Sequence, residues 1–258
     1  MAIVLDNITY TYGMGTPFEK TALHGISLTI ENGEFLGVIG HTGSGKSTFV
    51  QHLNGLLHPT TGTVTVNGVD ISASTEEAKK MRHKVGMVFQ YPEHQLFEET
   101  IAEDIAFGPK NLGLSADEVD ERVRDAMKFV GLDYNTYAER SPFHLSGGQM
   151  RRVAIAGVVA MNPDFLVLDE PSAGLDPFGR EEIFEEIIRL HKEKGITVIL
   201  VSHNMEDISR MASRLVVLDK GRVVLDGEPM DIFNNHRDEL QAVGVDVPPV
   251  SVTMEYLR

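Results

Sequence analysis

Hydrophobic positions along the chain follow two different periods. Val4-Leu5 to Tyr12 alternates in part and is rich in β-branched and aromatic residues, so it predicts a strand ended by Gly13 and Gly15. Leu23 to Ile30 alternates again and runs into Asn32-Gly33, which predicts a tight hairpin turn. Thr63 to Val66 before Asn67-Gly68 predicts a second hairpin. These pieces predict a small antiparallel sheet in the first third of the chain. Uninterrupted apolar runs have a different meaning, because a strand covered on both faces has no polar side to show. Phe35 to Ile39, Val85 to Phe89, Phe165 to Leu168 and Ile196 to Val201 are such runs.

Helical spacing fills the segments between them. A helix is predicted over Ser47–Leu57. Ser115-Ala116-Asp117-Glu118 is a capping box, and Val119, Val123, Ala126 and Val130 carry its helix to about Gly131. Ser146-Gly147-Gly148-Gln149 is a second box, followed by the apolar stripe Met150, Val153, Ala154, Gly157, Val158 and Met161. Asp176 as N-cap and Pro177 at the first helical position open a third helix. It is predicted to present Phe184, Ile187, Ile188 and His191 on one face and to stop at Gly195. Leu215–Leu218 and Arg222–Leu225 flank Asp219-Lys220-Gly221 as a hairpin, and residues 228–258, with Asn234-Asn235 and Pro248-Pro249, form a C-terminal extension packed on the core. Strands alternating with helices predict an α/β fold.

The connection after the first apolar run carries the strongest chemical signal. Gly40 to Ser47 fit G-x-x-x-x-G-K-[ST], with Thr48 completing the stretch. Backbone N–H groups of a glycine-rich turn converge on phosphate oxygens, because glycine admits positive φ and a close approach. The following helix adds the positive end of its dipole. Lys46 supplies a full charge for the β- and γ-phosphates, and the Ser47 hydroxyl suits Mg2+. Asp169-Glu170 at the end of another apolar run is a carboxylate pair suited to Mg2+ (Asp169) and to water activation (Glu170). Gln90, at the end of the Val85–Phe89 run, is in reach of metal or water if it lies at a carboxyl edge. A lone Gln there is more often a solvated loop residue. Ser146 either caps a helix or marks an anion-binding helix start, and two consecutive glycines, poor helix formers, favour the second. Tyr10 or Tyr12 facing outward beside a nucleotide competes with ordinary strand packing.

Composition narrows the classes. The 258 residues suffice for one large domain or two small ones. With 23 basic against 38 acidic residues the net charge is −15, which argues against nonspecific nucleic-acid binding. There is no cysteine, hence no disulfide or thiolate metal site. The first residues lack the features of a signal peptide, and no apolar run approaches the ~18 residues that span a bilayer, so a membrane role requires a partner.

Taken together, these residues resemble the ATP-binding cassette (ABC) ATPase subunits of membrane transporters over nearly the whole chain. Gly40-His41-Thr42-Gly43-Ser44-Gly45-Lys46-Ser47 is similar to the Walker A loop and Gln90 to the Q-loop glutamine. Leu145-Ser146-Gly147-Gly148-Gln149 matches the signature motif, Phe165–Asp169 the Walker B strand, and Glu170 the catalytic base. Ser172–Asp176 matches the D-loop, His203 the switch histidine, and Tyr12 the aromatic that stacks on adenine. The resemblance implies a P-loop NTPase with a RecA-like, mostly parallel sheet, an N-terminal antiparallel β subdomain and a helical signature subdomain. The implied boundaries are 1–90 with 162–227 for the core and 91–161 for the helical part. It also implies ATP and Mg2+, the metal on Ser47, Gln90 and Asp169. The resemblance further implies a dimer in which ATP lies between the Walker A of one subunit and Ser146 to Gln149 of the other, with Glu170, Gln90 and His203 around the attacking water.

Tyr91-Pro92-Glu93-His94-Gln95-Leu96-Phe97, Asp104–Asn111 and Met150–Gly157 look like the energy-coupling factor (ECF) importers of vitamins and metal ions, and the His41-Thr42 loop looks like their second ATPase type. That branch implies a second, non-identical ATPase, a transmembrane coupling subunit, a small substrate-binding membrane protein, and a peripheral place on the cytoplasmic face of the cell membrane. Homodimeric cobalt and nickel relatives are the nearest alternative. A soluble ABC protein of translation or DNA repair is a further one, disfavoured by a single Walker A and no heptad array. Residues 91–112, with Tyr91 and Phe97, are expected to form the docking surface for the transmembrane partner.

Overall fold

The structure, a computed structural model, describes residues 1–245; the end of the predicted C-terminal extension, residues 246–258 with Pro248-Pro249, lies outside the described residues. Two compact units form: Met1–Val85 with the chain from Thr197 on, and Gly86–Ile196. The chain begins with β1 (Ala2–Tyr12), β2 (Lys20–Glu31), β3 (Phe35–Ile39), α1 (Lys46–Leu53), β4 (Thr61–Val66), β5 (Val69–Asp70) and α2 (Glu76–Arg82). β6 (Val85–Val88) leads into the second unit with α3 (Ile101–Asn111), α4 (Ala116–Phe129), α5 (Tyr134–Tyr137), α6 (Gly147–Ala160), β7 (Phe165–Asp169) and α7 (Pro177–Lys194). The chain returns to the first unit as β8 (Thr197–Val201), α8 (Met205–Met211), β9 (Arg214–Asp219), β10 (Arg222–Gly227), α9 (Pro229–Asn235) and α10 (Arg237–Ala242).

In the first unit the predicted antiparallel sheet is present, in the order β2-β1-β4-β5. Ile3 stands opposite Ile30 on one side and Val66 on the other, and all three are fully buried. Asn67 and Gly68, with φ of 52° and 81°, make the turn between β4 and β5, the type that matches the twist of the flanking strands. The other Asn-Gly pair behaves differently. Asn32-Gly33 turns the chain but closes no hairpin, because β3 leaves for a second sheet and pairs in parallel with β8 and β9. The reason is hydrophobicity: β3 is buried at all five positions and requires cover on both faces. β9 and β10 form the predicted hairpin around Lys220 and Gly221. α1 ends at Leu53, short of the predicted Leu57, where Asn54 caps it and Gly55 turns left-handed. In the extension, α9 and α10 bury Ile232, Phe233 and Leu240.

In the second unit β7 lies beside β6, both fully buried. α4 and α6 start on the capping boxes read from the sequence, with both reciprocal hydrogen bonds formed at each. α6 departs from its predicted stripe. Its buried residues are Arg151, Val153, Ile155, Ala156, Val159 and Ala160, so of the expected set Val153 alone is fully buried. The helix packs on both α3 and α4 and is therefore covered over more than one face. Val158 and Met161 instead fill the space left by glycines: a Cβ on Gly86 would meet Val158 at 2.6 Å, and one on Gly108 would meet Met161 at 2.7 Å. α7 is capped by Asp176, which accepts from the Gly179 N–H at 2.7 Å, and ends at left-handed Gly195. Its buried face is Ile183, Phe184, Ile187 and Leu190, whereas the expected Ile188 and His191 are only half-buried. Phe184 and Ile187 centre the face in both cases, and packing decides which flank joins them.

Candidate active site

In the first unit the phosphate loop hangs between buried β3 and α1. Gly40 has φ of 153°, and a Cβ there would sit 2.3 Å from the Leu218 carbonyl oxygen. Gly45, the N-cap of α1, has φ of 104°. Neither position admits another residue without moving backbone. Lys46 is 7% exposed, and its Nζ donates to the carbonyls of Gly40 at 2.6 Å and His41 at 3.1 Å, so the ammonium is held across the loop. Ser44 is fully buried, and its Oγ has no hydrogen-bond partner among the described residues. An orphaned hydroxyl beside a clustered ammonium and the start of a helix fits a polyanion that brings its own acceptors. His41 points Nε2 at the Asp219 carboxylate, 2.9 Å away. Thr42, Gly43 and Ser47 are exposed, while Thr48 is buried.

Tyr12 stands at the end of β1, 42% exposed. Its ring meets Tyr10 edge-on at 4.8 Å, and its hydroxyl lies 3.1 Å from Thr48 Oγ1. Thus the end of the antiparallel sheet is tied to the first turn of α1. Behind it His52 is fully buried. Burial pushes its imidazole pKa below the ordinary value, against the pull of the Thr48 carbonyl. Nδ1 meets that carbonyl at 2.7 Å, so Nδ1 carries the proton, and buried Nε2 has no partner among the described residues. His203 lies exposed just past β8.

In the second unit Gln90 and Glu170 come together. Gln90 Nε2 donates to Glu170 Oε2 at 3.3 Å. Asp169 closes β7 and is 8% exposed. Glu170 has φ of 51° and Tyr91, next to Gln90, has φ of 56°. Non-glycine residues held left-handed cost about 1–3 kcal/mol each and persist where surroundings over-determine them. Among the described residues no three His, Cys, Asp or Glu side chains cluster as a metal cage. A buried carboxylate at a strand end suits Mg2+, which binds through one or two carboxylates plus phosphates and water.

At the start of α6, Gln149 N–H donates to Ser146 Oγ at 3.3 Å, and Ser146 N–H donates to Gln149 Oε1 at 3.1 Å. A Cβ added at Gly147 or Gly148 would meet nothing within 4 Å. Packing among the described residues does not call for glycine there. The capping reading of Ser146 is seen: the box closes both reciprocal hydrogen bonds at the start of α6.

One turn further, Arg151 is 2% exposed. Its Nε and Nη2 donate to both Glu93 oxygens, at 3.1 and 3.0 Å. Nη1 and Nη2 also donate to the carbonyls of Pro171 and Ala173, both at 2.9 Å. Burial acts to raise the Glu93 pKa, but the Arg151 hydrogen bond and charge outweigh it and leave the carboxyl below its usual range. Sequence reading passed over this pair. The available signal was an arginine set among apolar residues directly after a helix start.

Comparison with known proteins now gives the surroundings of this geometry. The family profile described as ABC transporter matches residues 23–173. The chain is similar to the energy-coupling factor transporter ATP-binding protein EcfA2 of Clostridium tetani, 56% identical over 258 residues, spanning 100% of this chain and 89% of that protein. The protein of the same name from Bacillus cereus (strain ATCC 10987 / NRS 248) is 53% identical, spanning 100% of this chain and 87% of its own. Among solved structures, cbiO1 from Clostridium perfringens, described as part of the ABC transporter complex cbiONQ, superposes with a TM-score of 0.81 at 36% identity and covers 98% of both chains. A dimeric ATP-binding cassette in a post-hydrolysis state, bound to ADP and Pi, superposes with a TM-score of 0.77 at 32% identity, covering 88% of this chain and 98% of that one.

Proposed function

The chain belongs to the ABC transporter family, among the ATP-binding proteins of energy-coupling factor transporters, and from that premise we propose how its residues divide the work of ATP hydrolysis. It is an ATPase coupled to transport. Lys46, the amides of Gly40, His41, Thr42, Gly43, Ser44 and Gly45, and the hydroxyls of Ser47 and Thr48 hold the triphosphate, and Tyr12 takes the adenine. Ser47, Asp169 and Gln90 would hold Mg2+, which would supply positive charge against the triphosphate. Glu170 takes the proton of the attacking water, Gln90 orients that water, and His203 stabilises the charge that develops on the γ-phosphate. Ser146, Gly147, Gly148 and Gln149 engage the γ-phosphate of ATP held by another ATPase subunit.

The observation that carries this reading is the open glycine pair on a fully capped helix: among the described residues a Cβ on Gly147 or Gly148 would meet nothing within 4 Å. The experiment is Glu170→Gln. Hydrolysis falls by about 10²-fold or more, as expected for loss of a general base, while ATP affinity persists. On gel filtration with ATP and Mg2+, the variant elutes as a closed pair of ATPase subunits. Wild-type turnover removes Glu170 from its role, and nucleotide bound to a single subunit removes the shared site.

The partner in that pair is a second, non-identical ATPase subunit; the pair sits peripherally on the cytoplasmic membrane face, docked on a transmembrane coupling subunit that also carries a small substrate-binding membrane protein. Support comes from the names of the relatives and from the surface around residues 91–112. There Phe97 and Phe107 are 57% and 46% exposed and meet edge-to-face at 4.9 Å, and Tyr91 is 41% exposed. Co-purification of a different ATPase and an integral membrane protein with the tagged chain tests this assembly. Recovery of a pair of identical ATPase subunits with the membrane protein favours the homodimeric cobalt and nickel type instead.

A further inference from the structure

Arg151 binds three stretches of chain at once. Its own helix, α6, begins at Ser146. Glu93 lies three residues beyond Gln90, and Pro171 and Ala173 lie one and three residues beyond Glu170. The guanidinium joins the last two stretches by four hydrogen bonds, two to the Glu93 carboxylate and two to the carbonyls. On the other side of these bridges, Gln90 Nε2 meets Glu170 Oε2. Both stretches contain a left-handed non-glycine residue, Tyr91 and Glu170, and such backbone needs an outside restraint. Only a planar fork meets a carboxylate in bidentate fashion and two carbonyls together; an ammonium cannot.

We propose that Arg151, locked to Glu93, is a positioning residue for hydrolysis: it fixes the spacing at which Gln90 and Glu170 meet and links that spacing to the start of α6. Arg151 lies at the fifth position of a rigid fourteen-residue helix, about one turn from Ser146. A shift of the glycine pair on engaging a phosphate therefore moves the guanidinium, and with it both stretches. In a dimer with shared sites, this ties the site that a subunit's signature helix completes to the site its own Glu170 serves. The inference rests on the roles proposed above for Gln90 and Glu170.

The test measures ATP hydrolysis and ATP affinity for the full-length chain assembled with its partner subunits. Glu93→Gln keeps the shape of the side chain, leaves Arg151 its two carbonyls, and serves if Arg151→Lys fails to fold. The expected result is a kcat lowered by about tenfold or more in both, with the Kd for ATP within about twofold. Gln90→Ala adds little on top of Glu93→Gln, because the two act through the same contact, and Glu93→Asp, which retains the charge, recovers part of the rate. An unchanged kcat per folded molecule in Glu93→Gln overturns the proposal, even where Tm drops. Glu170→Gln run in parallel separates the premises. If it turns over like wild type, the Glu170 reading fails. If it is inactive while Glu93→Gln is normal, that reading stands and the Arg151 proposal falls.

Discussion

Two glycine-rich stretches of this chain, Gly40–Ser47 and Ser146–Gln149, look alike as sequence and are built for opposite reasons. In the phosphate loop glycine is demanded from within: a Cβ on Gly40 would collide with the Leu218 carbonyl, and one on Gly45 would press on Ala22 O at 3.0 Å. At the start of α6 nothing within 4 Å would object to a Cβ on Gly147 or Gly148. Glycine in the first stretch is compelled by the surrounding backbone. In the second it is not compelled by any packing among the described residues, which is what the proposed role toward another subunit's ATP would use. A bare helix turn costs up to about 1 kcal/mol per glycine relative to alanine, so it calls for a use.

Substitution separates the two reasons. Gly40→Ala is expected to have the largest effect on folding, a loss of about 3 kcal/mol or more, since backbone must shift and a strained φ is forced on alanine; thermal unfolding measures it. Gly148→Ala is expected to be neutral or stabilising by up to about 1 kcal/mol, yet to lower ATP-dependent subunit association and hydrolysis by about tenfold or more. A Gly148→Ala protein that unfolds early would make the two stretches equivalent and end the contrast.

The smallest effect concerns the support of the phosphate loop. Buried His52 has a depressed pKa, so the unfolded chain takes up a proton first as pH falls. The stability it contributes is complete above the unfolded imidazole value of about 6.5 and declines below it. His52→Gln should flatten the fall of Tm between about pH 7 and 5. An unchanged slope would mean that protonation of His52 does not govern this region.

Much of this was legible in advance, for identifiable reasons. Capping boxes at Ser115 and Ser146, the Asp176-Pro177 start and the Gly195 stop are local, and all four stand as read. The apolar runs of β3, β7 and β8 were unambiguous because strands covered on both faces are nearly continuous in apolar residues, with Asp169 and Thr197 only at strand ends. Local rules failed where a distant element chose between equal options. Asn32-Gly33 was a valid hairpin signal, but β3 had more apolar surface to cover than β2 alone offered. The α6 stripe was a valid single face, but α3 and α4 enclosed that helix from more than one side. Arg151 was visible as a residue and invisible as a clamp, since Glu93, 58 positions earlier, and the carbonyls of Pro171 and Ala173 meet it only in the folded chain.

The sequence by itself determined the local features: the glycine-rich loop with its lysine, where helices begin, and which strands are buried. These follow from residue type and short spacing, because caps, turns and burial act within a few residues. Tertiary structure alone decided which glycines are compelled by packing and which face open space, which serine hydroxyl is left without a partner among the described residues, and which buried arginine joins Glu93 to the carbonyls of Pro171 and Ala173. Those depend on contacts between segments far apart in the chain, and close packing, not local propensity, sets them.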